Sequence, residues 1–482
     1  MTMAGPGVGE ISSASRDPSW IERGLWAFGL VFPIAWAVAM ALFPIVKGQL
    51  LGYVPVAVGL AVGAAIAARR QSLTRWLERR TERDFVTLLL VIAVALRAIA
   101  VVTFPLAPAN DHEMFLRLAL GMRAGEGYRL AYGPSAFFPP GMPLLLTGWF
   151  WVFPPGVVSA KALGWLIGVA IPPLTYVAGR SLVGQTAARW GALITAVSPT
   201  LVFYSATIGY ELLLAGLELT IAWQATLVWS RTSGRGVRLL LIGVLTGVAA
   251  LVKPTSLLIP ALLCLSWMPP LHLRRATGFA AVVGIVMAAV ILPWTLRNWR
   301  VLGAPVLIST NGGPVLYTAN NPDSQGLAMQ VAPLPGEYDE VSRDRIRRAA
   351  AIRWAASHPL DWTRLAAIKT VYTWGTSSSI MSYLSYDRMP AWQEDLAKAA
   401  LNVGWAAMFV LVAAAAFTTR VWAWPTMATA HSLVAMLVLT HLWFEALSRH
   451  HIPVLPILAL GAGVGLASMT GEQAAKRGSG KE

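Results

Sequence analysis

The stretch RRQSLTRWLERRTERD, residues 69–84, decides how this chain is threaded. It places Arg69, Arg70, Arg75, Arg79, Arg80 and Arg83 between two apolar runs, residues 50–68 and 85–104. Apolar runs near twenty residues are membrane-span candidates, and short Arg-rich loops stay on the cytoplasmic side. The stretch is therefore a cytoplasmic loop. The polar residues Asn110–Glu113, just beyond the second run, then fall on the extracytoplasmic side.

The pattern extends over the whole chain. Residues are 56% hydrophobic and 13% charged, with 21 Trp and a mean hydropathy of +0.59, which describes an all-α polytopic membrane protein. Twelve spans are expected, at residues 25–46, 50–68, 85–104, 157–178, 188–207, 211–229, 238–252, 255–269, 277–294, 399–417, 423–443 and 451–468. The formal charge of +15 sits in short loops between these runs, a pattern of topology and lipid contact that argues against a nucleic-acid partner. The single cysteine, Cys264, excludes an intrachain disulfide and a Cys-based metal site. Residues 1–24 are polar and of mixed charge, which reads as a cytoplasmic segment and not as a cleaved leader.

One segment needs a decision. Residues 137–153 are apolar but short, between Pro139-Pro140 and Pro154-Pro155. If they crossed the membrane, the basic loops at 180–189 and 231–238 would lie outside. An interfacial or re-entrant segment puts every later short basic loop inside. Residues 105–156 then form a large first extracytoplasmic loop, and residues 295–398 a long second one with amphipathic helices near 339–357 and 361–374. Residues 399–468 carry the C-terminal spans, and 469–482 form a cytoplasmic tail.

This threading brings scarce polar groups to one face. Acidic residues number 23 in the chain, so Asp111 and Glu113 at a span mouth are candidates for function. They also fit a capping box, with Asn110 as N-cap and Glu113 reaching back. Glu211 opens a span, where the helix dipole favours a carboxylate, and is a second acid for the same face. Lys253, Arg297, Arg300 and Arg449 supply cations to one rim, as a phosphate there requires, although a snorkelling anchor accounts for Lys253 equally well. Ser309–Pro314 is a turn by composition, and its Gly312-Gly313 pair permits close approach of backbone to a ligand. His450 and His451 read as a polar rim more than as metal ligands. No metal site is expected, although a divalent cation remains open.

In this order the motifs resemble the GT-C superfamily of glycosyltransferases, closest to protein O-mannosyltransferases and lipid A aminoarabinose transferases. The resemblance rests on Asp111, on Phe137-Phe138-Pro139-Pro140-Gly141, on Pro199 followed by Glu211, on Lys253-Pro254, and on Pro293-Trp294-Thr295-Leu296-Arg297-Asn298 continuing to Gly313. It spans roughly residues 85–468. It implies a seven-helix catalytic module at 85–294 preceded by an extra N-terminal hairpin, residues 25–84 with the basic loop. His112 separates Asp111 from Glu113, whereas the mannosyltransferases have adjacent acids. The resemblance further implies inverting transfer of a sugar from a polyprenyl-phosphate carrier to a lipid, glycan or protein acceptor, by a monomer in the cytoplasmic membrane with its site outside. Asp111 would be the general base, with Glu211 and Glu113 as accompanying acids. Lys253, Arg297, Arg300 and Arg449 would bind the donor phosphate. Tyr128, Pro140, Asn298, Asn311, Gly312, Gly313 and His450 would line the substrate side. The alternatives are a ligase-type transferase with a diphosphate-linked donor, and a transporter or flippase of lipid-linked sugars.

Overall fold

Proline, arginine and capping residues set where the helices begin and stop. The computed structural model describes residues 19–48, 50–104, 106–327, 329–378, 381 and 389–478. Its helices are α1 Trp20–Val46, α2 Tyr53–Ala68, α3 Arg70–Glu78, α4 Glu82–Thr103, α5 Asn110–Arg123, α6 Gly141–Val152, α7 Val157–Leu182, α8 Gln185–Val197, α9 Pro199–Tyr204 and α10 Glu211–Ser230. They continue with α11 Arg235–Val252, α12 Ile259–Leu271, α13 Leu273–Leu302, α14 Gly312–Thr318, α15 Glu340–Ser357, α16 Pro359–Trp374, α17 Ala391–Thr418, α18 Ala428–His441 and α19 Leu455–Gly478. Among the described residues the only sheet is a hairpin in the first loop, β1 Arg129–Leu130 with β2 Gly133–Pro134.

Nine of the described helices are long and apolar enough to cross a membrane, or ten if the bent pair α2–α3 counts as one span. The expected twelve is therefore not reached, and the two shortfalls have physical causes. Residues 188–207 do not form one helix: Ser198 leaves helical geometry at ψ 114° ahead of Pro199, as a pre-proline residue tends to. The carbonyls freed by that break are taken by Arg97, a cation inside an apolar run. Its guanidinium donates to Ala196 O at 3.1 Å and Thr195 O at 3.2 Å, at the negative end of α8. Residues 423–443 are likewise divided, into short 3-10 turns and the 14-residue α18. The Pro-bracketed segment 137–153 yields only the 12-residue α6.

The basic stretch that set the threading becomes α3, bent by 60° from α2. Thr81 caps the next helix, its hydroxyl accepting from Asp84 N at 3.1 Å, which fixes the start of α4. Far from that loop, aromatic rings join the N-terminal helix to the C-terminal half. Trp36 of α1 lies 4.3 Å from Trp405 of α17, and Trp405 stacks at 3.8 Å on His451. The His451 ring is also 2.9 Å from Thr373 O through Nδ1. His451 is in the 3-10 turn Ser448–Val454, so this packing holds the preceding residues, Arg449 and His450, in place.

Candidate active site

Local backbone geometry positions Asp111. The capping box expected from Asn110 and Glu113 is not formed, because α5 begins at Asn110 with Ala109 as cap and no side-chain cap. Asn110 adopts φ 51°, one of two positive-φ non-glycine residues among those described; Asn tolerates this left-handed geometry better than most side chains. Asp111 lines a cavity of about 790 Å³, a volume typical of small-molecule sites. Glu113 does not line it and forms an ion pair with Arg117 at 2.6 Å, 40% exposed. Beneath them His112 is buried. Burial, and then the positive charge of Arg449, lower its imidazole to about 3.

The partner of Asp111 comes from the other end of the chain. Arg449 Nη2 donates to Asp111 Oδ2 at 2.7 Å, and Arg449 Nη1 stands 3.5 Å from Glu211 Oε1. The guanidinium thus bridges two carboxylates from α5 and α10. Arg449 lines the cavity, whereas Glu211 does not and is only 1% exposed. Lys253 enters where α11 ends ahead of Pro254, and it also lines the cavity. Its amine lies 3.5 Å from His441 Nε2 and 5.9 Å from the Tyr210 ring centre. Burial, and then repulsion by Arg449, pull that amine down to about 8. His450 completes this group, its ring 4.3 Å from that of His441.

The segment Pro293–Arg300 lies apart from this cavity. Arg297 is not a cavity cation: it donates to Ser135 O and Tyr128 O, both at 2.6 Å, and so clamps the first loop. Arg300 is exposed and absent from the cavity lining. Asn298 is buried and donates to Val306 O at 3.0 Å and Ile308 O at 3.3 Å. Tyr128 also works inside the wall, its hydroxyl donating to Phe138 O at 2.8 Å. Phe137, Phe138 and Pro139 reach the cavity, but Pro140 does not. Gly141 is needed for that placement: a Cβ there would fall 2.7 Å from Val252 N, next to Lys253.

A second polar group lines the cavity from the long loop. Asn311 and Gly312 meet Asp344, Arg345 and Arg348 of α15. Gly313 lies behind them, donating through its amide to Asp344 Oδ1 at 2.5 Å; a Cβ there would fall 1.9 Å from Asp344 O. Asp344 is also paired with Arg348 at 2.5 Å. Helix α15 is held to the first loop by Glu340, which accepts from Ser135 Oγ at 2.7 Å and Ala136 N at 2.6 Å. No three His, Cys, Asp or Glu side chains among the described residues form a metal-binding group.

Two residues of this region were missed in the sequence. Glu445 lines the cavity, and Lys369 lies buried behind it. A signal for Glu445 existed: it is the sole carboxylate between Asp395 and Glu472. Lys369 carried none, since one lysine in an amphipathic helix reads as a solvated face.

No known family model matches the chain, and no curated protein matches it in sequence. Solved structures do. The oligosaccharyltransferase of Archaeoglobus fulgidus, in its apo form, aligns over 84% of this chain and 52% of its own, with 13% identity and a TM-score of 0.51. The chain has the GT-C fold. It spans about half the length of that oligosaccharyltransferase. ArnT from Cupriavidus metallidurans bound to undecaprenyl phosphate aligns over 83% of this chain and 79% of its own, with 16% identity and a TM-score of 0.42.

Proposed function

We propose that this chain is a membrane glycosyltransferase that moves a sugar from a polyprenyl-phosphate donor to an acceptor hydroxyl, inverting the anomeric carbon. The observation that carries the proposal is the meeting of Asp111, Lys253 and Arg449 in one cavity, within a fold shared with a membrane oligosaccharyltransferase. The acceptor oxygen attacks the anomeric carbon from the face opposite the phosphate. The bond from that carbon to the phosphate oxygen breaks, and polyprenyl phosphate departs with both electrons. Asp111 takes the hydroxyl proton as general base, and no covalent enzyme intermediate is required. Lys253 stabilises the charge gathering on the phosphate. Arg449 holds the carboxylate of Asp111 in place, with Glu211 fixing the other side of the guanidinium. The site faces the extracytoplasmic side, by the positive-inside argument. Apolar lining from Phe137, Phe138 and residues 304–308 suits a donor whose lipid tail stays in the bilayer. The acceptor is a lipid, glycan or protein hydroxyl.

A second reading has one observation in its favour. Arg345 and Arg348 bring cations from the long loop to the cavity, which suits a diphosphate-linked donor. The test is a detergent assay without any gradient, supplying polyprenyl-monophosphate and polyprenyl-diphosphate sugars separately. The monophosphate donor should be consumed by the parent protein, and Asp111→Asn should lower turnover by about 10²- to 10⁴-fold with donor binding retained. Consumption of the diphosphate donor alone would establish the second reading. Consumption of neither would remove both, and would favour a transporter.

A further inference from the structure

Among the described residues, three carboxylates line the cavity: Asp111, Asp344 and Glu445. Two are committed. Asp111 is paired with Arg449, and Asp344 with Arg348 and the Gly313 amide. Glu445 is half-buried, and its carboxylate makes no hydrogen bond or ion pair with any described residue. Arg449, Asp111 and Lys253 are its charged neighbours. Burial, partly offset by Arg449, raises its carboxyl above the usual range. Its carboxylate opens on the cavity, where a bound ligand can reach it.

The segment that carries Glu445 is braced on both sides. Lys369, 0% exposed, donates to Leu442 O at 2.8 Å and to Asn320 Oδ1 at 2.9 Å. Asn320 in turn donates through Nδ2 to Trp443 O at 2.6 Å. On the other side, Ala446 N donates to Gly326 O at 3.0 Å. Among the described residues no carboxylate pairs with this lysine; its acceptors are backbone and amide groups around this turn. A solvated surface glutamate would need no such support, whereas a substrate-reading group does, because recognition depends on rotamers and backbone held in advance.

We propose that Glu445 reads the transferred sugar, its carboxylate accepting hydrogen bonds from hydroxyl groups of the sugar ring while the phosphate lies at Lys253. The inference rests on the glycosyltransferase reading and assigns the sugar-recognising residue within it. A site built to bond a hydroxyl rejects an analogue lacking it far more strongly than an apolar pocket rejects a missing methylene. Lys369 acts as a positioning residue through Glu445.

The experiment compares the parent, Glu445→Gln and Glu445→Ala on synthetic polyprenyl-phosphate hexoses and pentoses, together with monodeoxy analogues of the best donor. Glu445→Ala should raise KM for the best donor by about 10- to 100-fold, the effect of one lost charge-assisted hydrogen bond. It should also level the parent's preference for that donor over one of its deoxy analogues. Glu445→Gln, which retains an acceptor oxygen, should fall between the parent and the alanine variant. Lys369→Met should show the same loss of preference, and its folded state is checked by thermal unfolding in detergent. The proposal is overturned if both Glu445 variants keep the parent's KM and preferences, or if kcat falls equally for all donors at unchanged KM. If the parent consumes no lipid-phosphate sugar at all, it is the glycosyltransferase reading that fails.

Discussion

Two pairs of cations looked alike in the sequence and do different work in the fold. Lys253 and Arg449 reach the cavity, whereas Arg297 and Arg300, beside Pro293-Trp294, do not. The difference lies in what each side chain meets first. Arg297 lies 4.8 Å from the Trp294 ring centre and donates to two backbone carbonyls of the first loop and to Asn298 Oδ1. Arg449 meets carboxylates, so its charge joins a site. Its position is set by a histidine two residues on, stacked in an aromatic cluster. An arginine next to tryptophan at a span end is thus as ready to be a strut as a ligand, and only its acceptors distinguish the two.

Substitutions sharpen that contrast. Removing the amine in Lys253→Ala should lower transfer by about 10²- to 10³-fold, the usual range for one preorganised electrostatic donor, with weaker donor binding as well. Because the free amine titrates at about 8, parental donor affinity should be greatest below that pH and fall as pH rises through it, when the cation is lost. Lys253→Arg, charged throughout, should lack that alkaline limb. A parental affinity flat from pH 6 to 10 would take Lys253 out of the phosphate site.

Arg297→Ala should act mainly on stability. Two loop carbonyls lose their donor, a change worth about 1–3 kcal/mol where they are shielded from water, seen as a lower Tm in detergent. Arg300→Ala should change Tm and transfer least, within about 0.5 kcal/mol as for other exposed positions. The comparison breaks if Arg300→Ala weakens donor binding as much as Lys253→Ala does.

Much of this architecture was legible in the residues, for reasons that differ by element. The apolar runs and the arginine loop at 69–84 were read as a membrane protein because hydropathy and loop charge are local properties. The broken span at 188–207 was less accessible. Pro199 marks a break, but Arg97, which caps the carbonyls it frees, is about a hundred residues away. The capping-box pattern at Asn110–Glu113 misled, since the spacing permits a box without saying that Glu113 has Arg117 one turn on. Asp111, Lys253 and Arg449 were legible as scarce charges at span ends. Their pairing was not, because the contact of Asp111 with Arg449 joins residues 338 positions apart. Glu445 went unread for a related reason: a lone acid in a turn between apolar helices gains meaning only when a cavity is seen beside it.

The central claim is that Asp111 and Arg449 form one working unit, assembled from the two ends of the chain. Its most direct test is a double-mutant cycle on donor turnover with Asp111→Asn, Arg449→Gln and the pair. Residues that act together lose activity non-additively, so the double variant should turn over within about threefold of the poorer single variant. Losses that simply multiply would contradict the account and make them two independent contributors.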